Sequence, residues 1–210
     1  MILENKLGIT NPMELAWEEE KISKRKAVEM FERGFLDSLK PGTFQTLSKI
    51  HEYLFSEVYE FAGKLRTVNL AKGNFRFAPV MYLRQALEEI EKMPQGTYEQ
   101  IIEKYVEMNI AHPFREGNGR STRIWLDLIL KNELGQVVDW SRVEKSDYLL
   151  AMERSPVKDR EIKGLLKEAL TDKIQDREVY MKGLDASYGY EGYGAFQAEA
   201  FTVSGGEPEL

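Results

Sequence analysis

Apolar residues recur at helical spacing over most of the chain, which predicts an all-α fold. The first helix is expected over residues 13–32, because Asn11-Pro12 is a good helix start and Gly34 follows its end. Thr43 is expected to cap a second helix. The apolar stripe of that helix is formed by Leu47, Ile50, Leu54 and Val58.

Between residues 65 and 77 the pattern changes to alternation, which is typical of β-strands. We predict a short hairpin there, with Gly73 near its tip. A hairpin with a purely structural role, in which Phe75 or Phe77 packs inward, would show the same pattern. Helix returns over Val80–Met93.

A further helix is expected from Thr97, which forms a capping box with Gln100. It should end at His112, because a proline at position 113 disfavours helical geometry in the residue before it. The next helix is expected to begin near Asn118, with Trp125 in the core. Later helices are predicted at Ser146–Arg154, Asp159–Leu170, Asp176–Lys182 and Asp185–Tyr193.

These elements divide the chain into four expected parts. They are an N-terminal helical extension at 1–42, a core at 43–170, C-terminal helices at 171–195 and a flexible tail at 196–210. The acidic run Glu18-Glu19-Glu20 is expected on a solvated helix face. His51 is expected to be a surface or structural residue.

Composition narrows the choice of partners. The 210 residues carry 29 basic and 35 acidic side chains, a net charge of −6, which argues against general attraction to nucleic acid. The chain lacks cysteine, its first twenty residues are acidic, and no stretch is apolar enough to cross a bilayer. We therefore expect a cytoplasmic protein that contacts neither membrane nor nucleic acid.

The segment from His112 to Arg123 combines several parts suited to binding a polyphosphate. Glycines at 117 and 119 allow backbone N–H groups to form a concave anion site next to a helix N-terminus. Arg120 and Arg123 share a helix face and can contact several phosphate oxygens. Glu116 would hold Mg²⁺ beside them, and His112 can accept a proton near neutral pH. Each feature alone also fits an ordinary helix end, a glycine cap or a solvated arginine pair.

The run HPFREGNGRSTR at 112–123 meets every fixed position of HPFx[DE]GNGRxxR, and so resembles the signature of the Fic family of AMP transferases. The resemblance implies an all-helical Fic fold with a short hairpin flap, and transfer of AMP from ATP to a Tyr, Thr or Ser hydroxyl of a target protein. It implies His112 as the base, Glu116 as the Mg²⁺ ligand and Phe114 as a core anchor. The nucleotide would be contacted by Lys72, Gly73, Asn74, Phe75, Asn109, Gly117, Asn118, Gly119, Arg120, Ser121, Thr122 and Arg123.

The same resemblance implies a target protein docked on the flap at 72–77 and AMP transfer rather than phosphate transfer, since Doc-type relatives carry lysine where Gly119 lies. The run Ser187–Gly192 resembles the family's inhibitory motif [ST]xxxE[GN]. Ser187 and Glu191 would then restrain the enzyme, with Glu191 paired to Arg123. The alternative is a tyrosine-rich capping helix.

Two further functions stay open at this stage. One is a hydrolase that removes AMP from a modified target at the same site. The other is a regulatory module that binds ATP without turnover. Formation of a homo-oligomer and modification of Tyr188 or Tyr190 by the protein itself are also expectations.

Overall fold

The computed structural model describes residues 2–73 and 75–201 and confirms the all-helical prediction. Two small antiparallel strand pairs accompany the helices. The first is a hairpin of β1 (Ala71–Lys72) and β2 (Phe75–Arg76), and the second joins the distant strands β3 (Val137–Val138) and β4 (Leu170–Thr171). In these residues the α-helices are α1 (Pro12–Glu32), α2 (Phe44–Phe55), α3 (Val80–Lys92), α4 (Tyr98–Ala111), α5 (Asn118–Leu134), α6 (Lys145–Arg154), α7 (Arg160–Glu168) and α8 (Arg177–Tyr190).

Capping side chains set the ends of several helices as the sequence predicted. Asn11 accepts hydrogen bonds from the first backbone N–H groups of α1. Thr43 does the same for α2, and Thr97 with Gln100 forms a complete capping box on α4. The start of α5 at Asn118 also agrees with the prediction.

Helix α5 lies at the centre and packs against α2, α4 and α8. Trp125 on α5 is fully buried, and its indole N–H donates to the carbonyl oxygen of Thr43 at 3.0 Å. Helix α1 packs on α2 and α8 and buries Leu15, Val28 and Met30. The N-terminal helix and the C-terminal helix therefore share one core with the region between them.

Three predictions about the C-terminal third are wrong. The helices expected at Asp176–Lys182 and Asp185–Tyr193 are one continuous helix, α8. The helix expected to reach Leu170 ends at Glu168, because Leu170 pairs with Val138 in the antiparallel pair of β3 and β4. The tail expected to be flexible from 196 is packed as far as Phe201, where Phe196 and Phe201 are both buried. Residues 202–210 lie outside the described part of the chain.

Candidate active site

The loop that carries the candidate chemistry begins where α4 ends. His112 is the C-cap of α4, and its φ of 48° makes it the one non-glycine residue with positive φ in the described chain. This left-handed geometry is a strained one for a residue with a side chain. It turns the chain out of α4 at the residue before Pro113, where continued right-handed helix is disfavoured.

Arg66 holds this turn in place, although its sequence position gave no sign of it. Its side chain is buried, and it donates to the carbonyl oxygen of His112 at 2.7 Å and to that of Ala111 at 3.1 Å. The same guanidinium also bonds the carbonyls of Val68 and Ala78 on either side of the first hairpin. A cation at a helix C-terminus is electrostatically favourable. Arg66 therefore ties the end of α4 to the flap.

The next turn of the loop is closed by Asn118. Its side-chain oxygen accepts from the backbone N–H of Phe114 at 2.8 Å, and its amide donates to the Phe114 carbonyl at 2.8 Å. The side chain of Asn118 is thus used within the loop. Its contact with nucleotide stays a prediction. Phe114 is fully buried, as predicted for a core anchor.

His51 lies beneath the loop. Of the two roles predicted for it, surface or structural, the surface one is wrong. Its ring is fully buried and stacks on Phe114 with centroids 3.8 Å apart. Nδ1 accepts from the N–H of Gly63, which leaves the proton on Nε2 to donate to the Glu116 carbonyl at 2.8 Å. Burial lowers the pKa of His51 to about 3. His51 is therefore a neutral support for the loop.

The two loop glycines are required by different neighbours. Gly117 has φ of 75°, and a Cβ there would lie 2.5 Å from the ring of Phe55. A Cβ on Gly119 would lie 2.1 Å from the Oε1 atom of Glu191. The space that the bare backbone of Gly119 leaves at the start of α5 is thus occupied by the carboxylate of Glu191.

Ser121 and Thr122 are engaged within α5. The Ser121 hydroxyl donates to the carbonyl of Gly117 at 2.9 Å, and the Thr122 hydroxyl to that of Asn118 at 2.6 Å. Both side chains are buried. Both hydroxyls thus have partners within the loop and helix, and contact of these two residues with nucleotide stays a prediction.

Arg120 is fully buried among carboxylates. Its Nε donates to Oε2 of Glu191 at 2.9 Å and its Nη1 to Oε1 of Glu19 at 2.6 Å, while Glu116 lies at 3.4 Å. The guanidinium also lies over the rings of Tyr193 and Phe55. Carboxylates and aromatic rings together replace the water that a buried cation loses.

Glu19 is the main site residue that the sequence did not predict. The acidic run was expected on a solvated helix face, and for Glu19 that prediction is wrong. Glu19 and Glu20 are both 2% exposed. Glu19 also accepts hydrogen bonds from the hydroxyls of Tyr193, at 3.0 Å, and Tyr59. The available signal was spacing, because Glu19 lies four residues after the buried Leu15 and eight before the buried Ala27.

Arg123 is bound at two successive turns of α8, at Ser187 and at the C-cap Glu191. Its Nη2 donates to Oε1 of Glu191 at 2.7 Å and to the carbonyl of Ser187 at 2.8 Å. Its Nε donates to the Ser187 hydroxyl at 2.7 Å, and its Nη1 to the Tyr148 hydroxyl at 3.3 Å. Both residues predicted to be inhibitory, Ser187 and Glu191, thus contact Arg123.

Glu191 contacts both motif arginines, one more than expected. Burial opposes its charged form, but Arg123 and then Arg120 outweigh burial, so the pKa of Glu191 is lowered. The carboxylate is therefore ionised near neutral pH and occupies the two cations that would otherwise face phosphate oxygens.

His112 itself is a neutral ring under the flap. Its ring stacks on Phe77 with centroids 3.7 Å apart, and its buried Nδ1 forms no hydrogen bond of normal geometry within the described residues. Burial lowers the pKa of His112 to about 4, against opposing effects of the Asn109 carbonyl and the Glu191 carboxylate. The imidazole is thus free to accept a proton at neutral pH.

Glu116 fits the expected magnesium ligand. Its carboxylate is half-exposed at the lip of the loop, with one oxygen accepting from the N–H of Gly117 at 2.9 Å. Burial raises its pKa, although Arg120 opposes this. In the described residues no group of three or more His, Asp or Glu side chains surrounds a metal position. One carboxylate suits Mg²⁺ that is bound mainly through substrate phosphates and water.

The first hairpin lies beside His112, as a flap would. Lys72 and Gly73 are exposed, and the half-buried Phe75 contacts Phe77 edge to face at 5.2 Å. Phe77 in turn covers the ring of His112. Asn74 lies outside the described residues.

Tyr188 and Tyr190, proposed from sequence as sites of self-modification, are 1% and 5% exposed. That hypothesis is wrong for this structure, because it assumed exposed hydroxyls. The Tyr188 hydroxyl donates to Ser23, and that of Tyr190 to the carbonyls of Trp140 and Val143. Among the described helices none has the length and apolar character needed to cross a membrane.

A model of the Fic/DOC family matches residues 41–130, which include the whole loop and the start of α5. Residues 41–130 therefore match a Fic domain. In this domain His112 follows α4 and the two motif arginines lie on the first turns of α5. Helix α1 and helix α8, which supply Glu19 and Glu191, lie outside the matched residues.

Curated relatives share more of the chain than this domain. The chain is 34% identical over 147 residues to protein adenylyltransferase VbhT of Bartonella schoenbuchensis, covering 63% of the chain and 30% of that protein. It is 28% identical over 166 residues to the probable protein adenylyltransferase y4lH of Sinorhizobium fredii, covering 73% of the chain and 83% of that protein. The match to VbhT therefore spans less than a third of that relative.

The Fic fold is also found in solved structures. The BepC protein of Bartonella tribocorum, crystallised with bound AMPPNP, superposes with a TM-score of 0.66 and 22% identity. The similarity covers 81% of this chain and 93% of that one. It supports the helical architecture over a larger share of the chain than the family match at 41–130.

Proposed function

We propose that this protein transfers AMP from ATP to a Tyr, Thr or Ser hydroxyl of a target protein, and that Glu191 restrains the reaction. The observation that carries the proposal is a neutral His112 beside an anion-binding loop whose Arg120 and Arg123 are both held by Glu191. Relatives named protein adenylyltransferase support the same reaction.

The transfer follows from the groups around the loop. The free imidazole of His112 accepts the proton of the target hydroxyl, and that oxygen bonds the α-phosphorus of ATP. The bond from this phosphorus to the oxygen bridging it to the β-phosphate breaks, and pyrophosphate leaves. The backbone at 117–119 and the N-terminus of α5 bind phosphate oxygens. Mg²⁺, held by Glu116 and phosphates, would neutralise the charge of the leaving group.

Glu191 restrains this reaction by competing for the arginines. Its two oxygens occupy Arg120 and Arg123, the groups that would orient the outer phosphates. ATP that binds around this carboxylate has its α-phosphorus out of line with the attacking oxygen. A misplacement of about 1 Å costs roughly a hundredfold in rate.

The flap supplies a place for the target. Residues 71–73 are exposed beside the ring that covers His112, and an extended target segment can pair with a strand edge through main-chain hydrogen bonds. Docking on residues 72–77 would bring a target hydroxyl toward His112.

The test uses ATP labelled at either its α- or its γ-phosphate, with Mg²⁺ and a protein lysate. AMP transfer labels protein from α-labelled ATP and not from γ-labelled ATP. His112→Ala should abolish this label, because the target hydroxyl then has no base. Label from the γ-position that is lost in His112→Ala, or an unchanged rate of α-labelling in His112→Ala, would overturn the proposal.

A further inference from the structure

A cavity lies outside the Fic loop, between the end of α1, the middle of α5 and most of α8. Its volume is about 320 Å³. On α8 its lining runs from Val179 to Ser187, so it begins about three helical turns before Glu191. Its wall includes Arg123, whose guanidinium binds Glu191 and Ser187, and the proposed transfer reaction assigns no further role to this space.

The wall of this α8 cavity is mainly apolar, and the charges near its mouth are largely paired. Lys131 bonds Asp37 at 2.7 Å, and Glu32 bonds Arg177 at 2.8 Å. A cavity of this size and character suits a small organic molecule rather than an ion or a polypeptide. Its apolar lining includes Met30, Leu36, Ile124, Leu128, Val179 and Leu184.

Asp127 is the one carboxylate of α5 in this lining. Its two oxygens accept from the N–H of Val138 at 2.9 Å and the indole N–H of Trp140 at 2.7 Å, which fixes its position. Burial raises the pKa of Asp127 to about 7. Arg123 opposes this effect through its charge, and its guanidinium already binds Glu191 and Ser187.

We propose that the α8 cavity is a binding site for a small amphiphile with an apolar body and one protonated amine. The body would replace water against the apolar wall. The ammonium would lie beside Asp127 and supply the positive partner that this carboxylate lacks. An anionic molecule of the same shape would meet the carboxylate and bind less tightly.

Occupation of the cavity also bears on the restraint, and this step rests on the proposed function. Ser187 lines the cavity and precedes Glu191 by one helical turn. The cavity has its full lining only while α8 is docked. A ligand that binds this form favours it over any form with α8 displaced, and so strengthens the hold of Glu191 on the arginines.

Binding is tested on the full chain with 4-phenylbutylamine and 4-phenylbutyrate as matched probes, followed by calorimetry. We expect the amine to bind about tenfold more tightly than the carboxylate. Val179→Phe places a ring in the cavity and should weaken amine binding at least about tenfold, while Val157→Phe, at a residue 96% exposed, should change nothing. Equal affinity for the two probes, or amine binding that Val179→Phe leaves unchanged, would overturn the site.

Coupling is tested by AMP transfer with saturating amine. The transfer rate should fall several-fold in the unmodified protein and stay constant in Glu191→Gly. Amine that binds with no change in either rate would overturn the coupling while the site stands. A chain in which no variant transfers AMP would overturn the proposed function, yet calorimetry would still decide the site.

Discussion

Arg120 lies fully buried among the carboxylates of Glu19, Glu116 and Glu191, which belong to three different segments of the chain. Only Glu191 belongs to α8's C-terminal end, while Glu19 holds the guanidinium from α1. When Glu191 leaves, Arg120 therefore keeps a buried partner and its position. Arg123 has no second carboxylate among the described contacts, so it is the arginine that the restraint affects most.

Replacing Glu19 with Gln should lower the free energy of unfolding by about 3 kcal/mol, because it leaves a buried guanidinium short of a charge partner. Glu18→Gln, one residue away and half-exposed, is the matched control and should cost about 0.5 kcal/mol or less. Urea unfolding of both variants measures the difference. Equal stability of the two variants would show that Glu191 alone suffices for Arg120.

The two histidines should both titrate far below the ordinary value. NMR of their ring protons should place His112 near pH 4 and His51 near pH 3. Because the folded pKa is lowered, the unfolded chain binds more protons below about pH 6.5, and stability falls as the pH drops from there toward 4. A ring that titrates near 6.5 would mean that His112 is solvated rather than buried.

For single residues, the sequence predicted those of the motif but not the residues that hold them in place. His112, Glu116 and Arg123 follow from a contiguous signature. Arg66 and Glu19 reach the loop from 46 and 101 residues away, and only the folded chain brings them there. Charged residues are mostly exposed, so their burial follows from partners that one sequence does not reveal.

Helix α8 is anchored beyond its end by the segment 193–196. The carboxylate of Glu20 accepts from three successive backbone N–H groups, those of residues 194, 195 and 196. The buried Lys24 bonds the carbonyl of Phe196 and forms an ion pair with Asp185 on α8 at 3.2 Å. Helix α1 thus holds the C-terminal end of α8, where the proposed restraint lies, from both sides of Glu191.

Glu20→Gln should loosen this anchor, since an amide offers one acceptor where the carboxylate offers two. A loss of about 1.4 kcal/mol in the docked form corresponds to roughly a tenfold higher rate of AMP transfer. In the Glu191→Gly background the same change should have no effect, because the restraint is already gone. Glu14→Gln, exposed on α1, is the control. A decrease in rate would mean that the anchor serves catalysis instead.

Local signals predicted most helix ends, and long-range pairing accounts for the failures. Asn11, Thr43 and Thr97 each cap a helix through their own side chains, which is a property of a few neighbouring residues. The strand at Leu170–Thr171 depends on Val137–Val138, more than thirty residues earlier. Helix α8 continues through Gly183 because that residue packs on Trp140, which offsets its poor helix propensity.

The described residues share one packed core, and the groups of the proposed restraint belong to it. Helices α1 and α8 pack on the region matched by the Fic/DOC family and on each other. The predicted boundary at residue 42 lies beside the start of the family match at 41, whereas that match ends at 130 and not at the predicted 170. Packing of α1 and α8 crosses both predicted boundaries. Release of Glu191 requires movement of α8 against α1, not the departure of a loosely attached tail.

Restraint of AMP transfer by Glu191 is tested most sharply by the rate at which Glu191→Gly labels protein from α-labelled ATP. Glycine at this position leaves Arg120 and Arg123 open to the outer phosphates of ATP. We expect a rate about a hundredfold above that of the unmodified protein. The double variant with His112→Ala should show no labelling. Labelling by Glu191→Gly that is no faster than that of the unmodified protein would contradict the account.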